Sequence, residues 1–398
     1  MSPYVREVNE QAYAPRVISI GPFHNQPCSE RLQTMQGIKD RFSKKFWQRA
    51  NVENIANRAR SNGETPFPTI NEQLMKKIRE FYRWTQSDAG LSKLVLVDAF
   101  FILELFLRSF EKKWPSEDPM FPEHLLPMVT IDLLLLENQL PFWFLEEVFR
   151  FALPMYSGAL SVRQLTFDFF KDFNGQGISH EDPNVKIEHF TDLLRTFLLP
   201  QSLWPSSTQL PQRDNEKVKL LYSATQLQEA GVKFRVSSNK CLAGLKFENG
   251  VLEIPRIAFK DTTEALIRNI MALEQTCYPR NGYVTDYFVL LDFLTNTTKD
   301  MDLLCRSGIV DSFLGNGDAA TLVVNNLHKN ILWVGLSTDY CKLCEGLNAF
   351  YEDPRHIWKA ILKRDYFSTP WRTASTLAVA ILFVLTSIQT VCSIIQVL

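Results

Sequence analysis

The last 26 residues, TASTLAVAILFVLTSIQTVCSIIQVL from Thr373 to Leu398, carry no charged side chain. As a helix, a run of that length is long enough to cross a hydrocarbon core of about 30 Å. The sequence therefore predicts a C-terminal transmembrane helix over 373–398, with Ala374, Leu382, Leu385 and Ile394 spaced along it. The alternative is a buried C-terminal helix, but uncharged runs of about 18 residues or more rarely belong to soluble cores. Lys359, Lys363, Arg364 and Arg372 precede the run, and Asp365 is the one nearby acid. The positive-inside tendency then places the N-terminal body in the cytosol, on a single-pass tail anchor. Met1–Gln11 includes Arg6, Glu7 and Glu10 and has no apolar core, so it does not read as a signal peptide. Which membrane receives the anchor is left open.

The rest of the chain reads as mainly α, a multi-helix globular body. LVLVDAFFILELFL at 94–107 is the other strongly apolar stretch, yet it spans 14 residues and contains Asp98 and Glu104. That length suits a core helix. RLQTMQGIKDRFSKKFW places Leu32, Met35, Ile38, Phe42 and Phe46 at helical spacing, and NEQLMKKIREFYRW does so with Leu74, Ile78, Phe81 and Tyr82. Both predict amphipathic helices with basic outer faces. Pro115, Pro119, Pro122 and Pro127 break the chain before the next helix. Residues 199–215, rich in Pro, Ser and Gln, predict a surface loop between an N-terminal helical half (1–198) and a C-terminal half (216–366).

One stretch departs from the helical period. Val232, Phe234 and Val236 alternate with Lys233 and Arg235, Leu245 and Phe247 alternate with Lys246 and Glu248, and Asn249-Gly250 leads into Val251–Ile254. Asn-Gly between alternating runs signals a hairpin, because both central residues of a type I′ turn need positive φ. A small antiparallel β-hairpin sheet is expected there, followed by a helix capped at Thr262 or Thr263.

The charge balance excludes some partners. Lys+Arg number 43 and Asp+Glu 44, a net charge of −1, so no bulk field favours nucleic acid. Seven cysteines at 28, 241, 277, 305, 341, 344 and 392 are odd in number and scattered, which predicts free thiols, not a disulfide framework. Asn296-Thr297-Thr298 is a glycosylation sequon, usable only if the body enters the secretory lumen.

DLLLLENQLPFWF, residues 132–144, sets Glu137, Asn138 and Gln139 inside an apolar run. Pro141 has no N–H, so the carbonyl of Glu137 would lose its helical partner. The amides of Asn138 and Gln139 can satisfy such orphan groups, and Glu137 can accept from backbone N–H groups or pair with a base. The expectation is a structural motif of Glu137, Asn138, Gln139 and Pro141 that fixes a kink in a core helix. Asp98 with Glu104, or Glu137 with Glu146 and Glu147, would be the carboxylate pairs for acid–base work, but no companion motif supports them. The histidines at 24, 124, 180, 189, 328 and 356 lie in different contexts, and no Gly-x-Ser-x-Gly elbow is present. Cys341-Lys-Leu-Cys344, flanked by His328 and His356, has zinc half-site or redox spacing. A lone CxxC is a weak signal, since on a helix that spacing simply sets both sulfurs on one face. No catalytic residue, cofactor or metal is predicted.

Several stretches together resemble a known family: NEQAYAPRVISIGPFH (9–24), DAFFILELF (98–106), DLLLLENQLPFWFLEEVF (132–149), SATQLQEAGVKF (223–234) with GVLEIPRIAF (250–259), and LKRDYFSTPW (362–371). NIMALEQ (269–275) and residues 290–315 add to the match. They are similar to the plant domain-of-unknown-function family 247. The resemblance implies a plant source, a mostly helical body, a C-terminal transmembrane helix and no established activity. Some grass members are implicated as pollen determinants of self-incompatibility. The expected function is a membrane-anchored, non-catalytic recognition or signalling protein, bound to the membrane by its C-terminal helix and to a protein partner of open identity. The alternative is a membrane-tethered, hydrolase-like enzyme using buried carboxylates. Under the recognition reading, contacts that vary between alleles would fall on poorly patterned segments such as 50–70 and 172–184.

Overall fold

The computed structural model describes residues 3–24, 30–50, 72–82, 90–113, 121, 123–153, 160–199, 220–314, 317–327, 329–331, 335–355, 358 and 370–397. The body is built around two long helices, α1 (Glu30–Arg49) and α3 (Leu91–Glu111), and α2 (Glu72–Phe81) adds Ile78 to the same core. Helix α3 is the predicted core helix. Nearly every side chain from Val95 to Arg108 is buried, Asp98 and Glu104 included. Rings knit α1 to α3: Phe42 and Phe101 have centroids 5.2 Å apart, and Phe46 stacks on Phe100 at 5.2 Å. The outer faces of α1 and α2 carry exposed Lys44, Lys45, Lys76 and Lys77, as amphipathic spacing requires. Lys39 is the exception, buried at 2% exposure.

Helices α4 (Leu126–Asp132) and α5 (Phe142–Ala152) follow, with Pro127 inside the first turn of α4, where a missing N–H costs nothing. Then come α6 (Val162–Phe169) and α7 (Phe190–Leu198). The rings of Phe106, Phe169, Phe170 and Phe190 close this end of the core.

The C-terminal half begins with α8 (Ala224–Glu229) and a three-stranded sheet of β1 (Lys233–Val236), β2 (Lys246–Glu248) and β3 (Val251–Ile254). The expected hairpin is present: β2 and β3 pair antiparallel, Lys246 opposite Glu253 and Phe247 opposite Leu252. Its turn holds Asn249 at φ 50° and Gly250 at φ 73°, as a type I′ turn demands. The sheet is not purely antiparallel, however. Strand β1 adds to β3 in parallel, Phe234 beside Leu252, because the chain runs back along β2 before it turns into β3. A second, parallel pair, β4 (Ile257–Phe259) with β5 (Val310–Ser312), was not anticipated; three-residue strands are too short to show a period of two. Helices α9 (Thr263–Cys277), α10 (Tyr283–Leu294), α11 (Thr298–Arg306), α12 (Gly317–Leu327) and α13 (Thr338–Glu352) complete the body.

One hydrophobic cluster runs from Val17 to Leu347, so both sides of the expected 199–215 loop contribute to the same core. Residues 200–215 of that loop lie outside the described residues, as do 51–70 of the segment 50–70. The chain ends in α14 (Pro370–Val397), where Thr373–Ile395 is long and apolar enough to cross a membrane and none of it is buried. Ala374, Leu382, Leu385 and Ile394 are all exposed.

Candidate functional site

The polar residues singled out from sequence converge on one irregular stretch of backbone. Residues 16–21 run through the core without helix or strand, so their N–H and C=O groups need partners from elsewhere. Side chains supply them. Asp132 accepts from the N–H groups of Arg16 at 3.0 Å, Val17 at 2.7 Å and Ile18 at 2.9 Å. Asn138 accepts from Ile20 N–H at 2.6 Å and donates to the carbonyls of Ile18 at 2.9 Å and Asp132 at 2.8 Å. Asp98 accepts from Gly21 N–H at 2.8 Å and from Lys39, whose ammonium also donates to Ser19 O.

Glu137, Asn138 and Gln139 do not kink a helix. Helix α4 ends at Asp132 and α5 starts only at Phe142, with Pro141 as its N-cap residue in extended geometry (φ −63°, ψ 135°). The segment between is a buried turn, because its polar side chains bond the freed carbonyls and leave no helical ladder to continue. Gln139 donates to Leu133 O at 2.6 Å and Leu135 O at 2.7 Å, and accepts from Phe190 N–H at 2.9 Å. Tyr82 donates to Gln139 O, and Asn269 of α9 accepts from Leu136 N–H. Glu137 pairs with Arg6, and His24 Nε2 lies 3.7 Å from the same carboxylate. Burial, with Arg6 adding to it, lowers the His24 pKa. Burial pushes Asp132 up to about 6, against its three backbone donors. Gly21 sits at φ +72°, where an added Cβ would stand 2.9 Å from Tyr82 Oη and 3.1 Å from Gln139 O.

The other acids are held individually. Glu104 lies between Arg49 and Arg108, each at 2.8 Å, while Asp98 belongs to Lys39. Glu147 pairs with Arg150 on the exposed face of α5; burial raises the Glu146 pKa, and the charge of Arg163 opposes that rise. Cys341 and Cys344 are both buried on α13, and burial pushes the Cys344 thiol up to about 12. His328 and His356 lie outside the described residues, among which no group of three His, Cys, Asp or Glu side chains is placed to hold a metal ion.

A cavity of about 330 Å³ opens between α7, the loop 184–188 and the turn 278–281. Asp192 accepts from Tyr278 Oη at 2.8 Å and from Glu188 N–H at 3.2 Å. Arg195 donates to Glu274 at 3.0 Å and to Asn281 O at 2.6 Å, and its guanidinium lies over the Tyr278 ring at 4.1 Å. Glu274 also accepts from the N–H groups of Val284 and Thr285 at the start of α10, so it serves a helix N-terminus and Arg195 together. Burial, then Asp192, raises Tyr278, which stays a donor at neutral pH. Arg163 holds the loop beside the cavity by donating to the carbonyls of His180, Asp182 and Val185. Sequence reasoning missed this cavity, because Asp192 and Tyr278 are 86 residues apart. The one available signal was Glu274, an acid inside the apolar stretch NIMALEQ.

A family model described as a plant protein of unknown function matches residues 1–385. The UPF0481 protein At3g47200 of Arabidopsis thaliana is 27% identical over 412 residues, which span 98% of this chain and 84% of that protein. The putative UPF0481 protein At3g02645, also from Arabidopsis thaliana, is 25% identical over 169 residues, 42% of this chain and 32% of that protein. No solved structure gives a significant match.

Proposed function

The chain belongs to the DUF247 family of plant proteins of unknown function, and from that premise we propose that it is a membrane-anchored recognition protein whose activity is binding. The observation that carries this reading is α14, whose apolar stretch Thr373–Ile395 buries none of its surface against the body. Such a helix in water would expose a large apolar face, and lipid removes it. The basic residues before it support a cytosolic body. The buried polar groups support binding over catalysis. A hydrolase of that kind needs buried carboxylates that converge on one cavity, whereas Asp98 and Glu104 are held apart by separate cations and neither lines the cavity of Asp192.

The recognition face we propose is the cavity together with the loop 172–184, which Arg163 fixes beside it. Exposed Asp172, Gly175, Ser179 and Glu181 present variable chemistry on a fixed backbone. In the self-incompatibility determinant type of function, allele-specific contacts fall on this loop. Two experiments test the reading. Protease treatment of intact vesicles holding an N-terminally tagged chain should digest the tag, and deletion of 373–398 should release the chain from the membrane. Exchanging 172–184 between alleles should exchange partner choice. A protected tag overturns the sidedness, and unchanged partner choice overturns the recognition face.

A further inference from the structure

On the reading that α14 spans a bilayer, four polar side chains of its C-terminal half share one face, with Ser387 outside it. At about 100° per residue, Thr386, Gln389, Thr390 and Ser393 fall within an arc of roughly 100°, while Leu385, Ile388, Val391 and Ile395 lie outside it. The threonines are locally satisfied. Thr386 Oγ1 donates to Leu382 O and Thr390 Oγ1 to Thr386 O, both at 2.8 Å. Gln389 is different. It is exposed on the helix surface, and its amide has two donors and an acceptor oxygen that the helix backbone does not use.

Depth makes that amide costly. Gln389 lies five residues past the midpoint of Thr373–Ile395, about 7–8 Å from the bilayer centre and well inside a hydrocarbon half-thickness of about 15 Å. It cannot escape by snorkelling to the nearer surface. Side chains on a helix lean toward its N-terminus, which here points to the bilayer centre. A primary amide left unpaired in hydrocarbon is strongly disfavoured, and a partner helix relieves it.

We propose that α14 pairs in the membrane with α14 of a second copy of this chain, in parallel, through the face of Thr386, Gln389, Thr390 and Ser393. A second copy fits better than an unrelated helix for two reasons. An identical anchor inserted the same way places its own Gln389 at the same depth, and a primary amide is its own hydrogen-bonding complement, as a two-fold interface requires. Threonine and serine beside it are small enough to let the backbones approach. The body would then be presented as a two-fold pair.

The test uses the full-length chain in phosphatidylcholine vesicles, with Cys392→Ala as background. Ser393→Cys places a thiol on the proposed face, and Val391→Cys places one on the far side. Oxidation should join copies through position 393 and not through 391, read by mass spectrometry of the linked C-terminal peptides. Gln389→Leu should weaken the 393 crosslink about tenfold, and Gln389→Asn should keep it. Alkaline carbonate extraction is run alongside. A chain that stays in the membrane but links equally at 391 and 393, or is indifferent to Gln389→Leu, overturns pairing alone. A chain that washes out overturns the anchor and the pairing together.

Discussion

Replacing Asn138 tests whether side-chain hydrogen bonds hold the buried turn. Its side chain makes three of them, one from Ile20 N–H and two to the carbonyls of Ile18 and Asp132, at 1% exposure. Asn138→Ala removes all three and leaves a buried donor and two buried acceptors that water does not reach. At roughly 1–1.5 kcal/mol each, the loss is about 3–5 kcal/mol. Asn138→Asp is the sharper variant. It keeps the acceptor for Ile20 N–H but turns oxygen toward two carbonyl oxygens that now sit 2.8–2.9 Å from a donor. At pH 7 it should be no more stable than the alanine variant, despite having the same shape as the native residue. The measurement is urea unfolding of the detergent-solubilised full chain, followed by tryptophan fluorescence, with the midpoint compared at constant slope. A loss below about 1 kcal/mol for Asn138→Ala, or native stability for Asn138→Asp, would refute the reasoning.

Gly21→Ala should cost about 2–3 kcal/mol in the same assay, since Gly21 has φ +72° and the new methyl meets Tyr82 Oη and Gln139 O; native stability would show that the backbone relaxes freely. Asp132 supplies a pH signature. Its folded pKa of about 6 lies above the unfolded 3.8, so its contribution is fully present below about pH 4 and is lost as pH rises through 6. The stability gap between native chain and Asp132→Asn should therefore narrow by about 2 kcal/mol from pH 4 to pH 7, and a gap that widens over that range contradicts the assignment. Alkylation at pH 8 should label exposed Cys277 and leave Cys344, with its thiol pushed up to about 12, unlabelled until the chain unfolds; mass spectrometry of the modified peptides decides. Arg163→Ala should hasten trypsin cleavage after Lys186 several-fold, because three loop carbonyls lose their donor; unchanged cleavage would mean that the loop is held by other contacts.

What could be seen in the sequence was whatever repeats with a local period or needs a special backbone. Met35, Ile38, Phe42 and Phe46 announce α1, the 94–107 stretch announces α3, and Asn249-Gly250 announces its hairpin. Features set by distant pairing were out of reach. Strand β1 alternates as an antiparallel strand would, and nothing within it states that its neighbour runs parallel. Lys39 belongs by pattern to a basic outer face, yet Asp98, 59 residues away, draws it inside. The cavity fails for the same reason: Asp192, Arg195, Glu274 and Tyr278 come from α7, α9 and the turn that follows, and no local spacing brings them together.

The polar triplet Glu137-Asn138-Gln139 shows why a buried cluster of acids and amides need not be a site. The stretches 9–24, 98–106 and 132–149 look unrelated in sequence, one irregular, one a helix and one a turn. In the structure they are three sides of one account. Residues 16–21 bring five N–H groups and two carbonyls into the core, and Asp98, Asp132, Asn138 and Lys39 meet them. Asn269 ties the same assembly to the C-terminal half, accepting from Leu136 N–H and donating to Ala12 O at 2.8 Å, while Val5, Ala12 and Tyr13 pack on Ala265 and Ala272. An extended strap through a core must be bonded by side chains or not be there at all, because no ladder partner runs beside it. Chemistry-bearing residue types at these positions are therefore required by backbone accounting before any substrate is considered. The binding we propose is then left to the surfaces that this account does not consume: the cavity at Asp192 and Arg195, the pinned loop 172–184 and the polar face of α14.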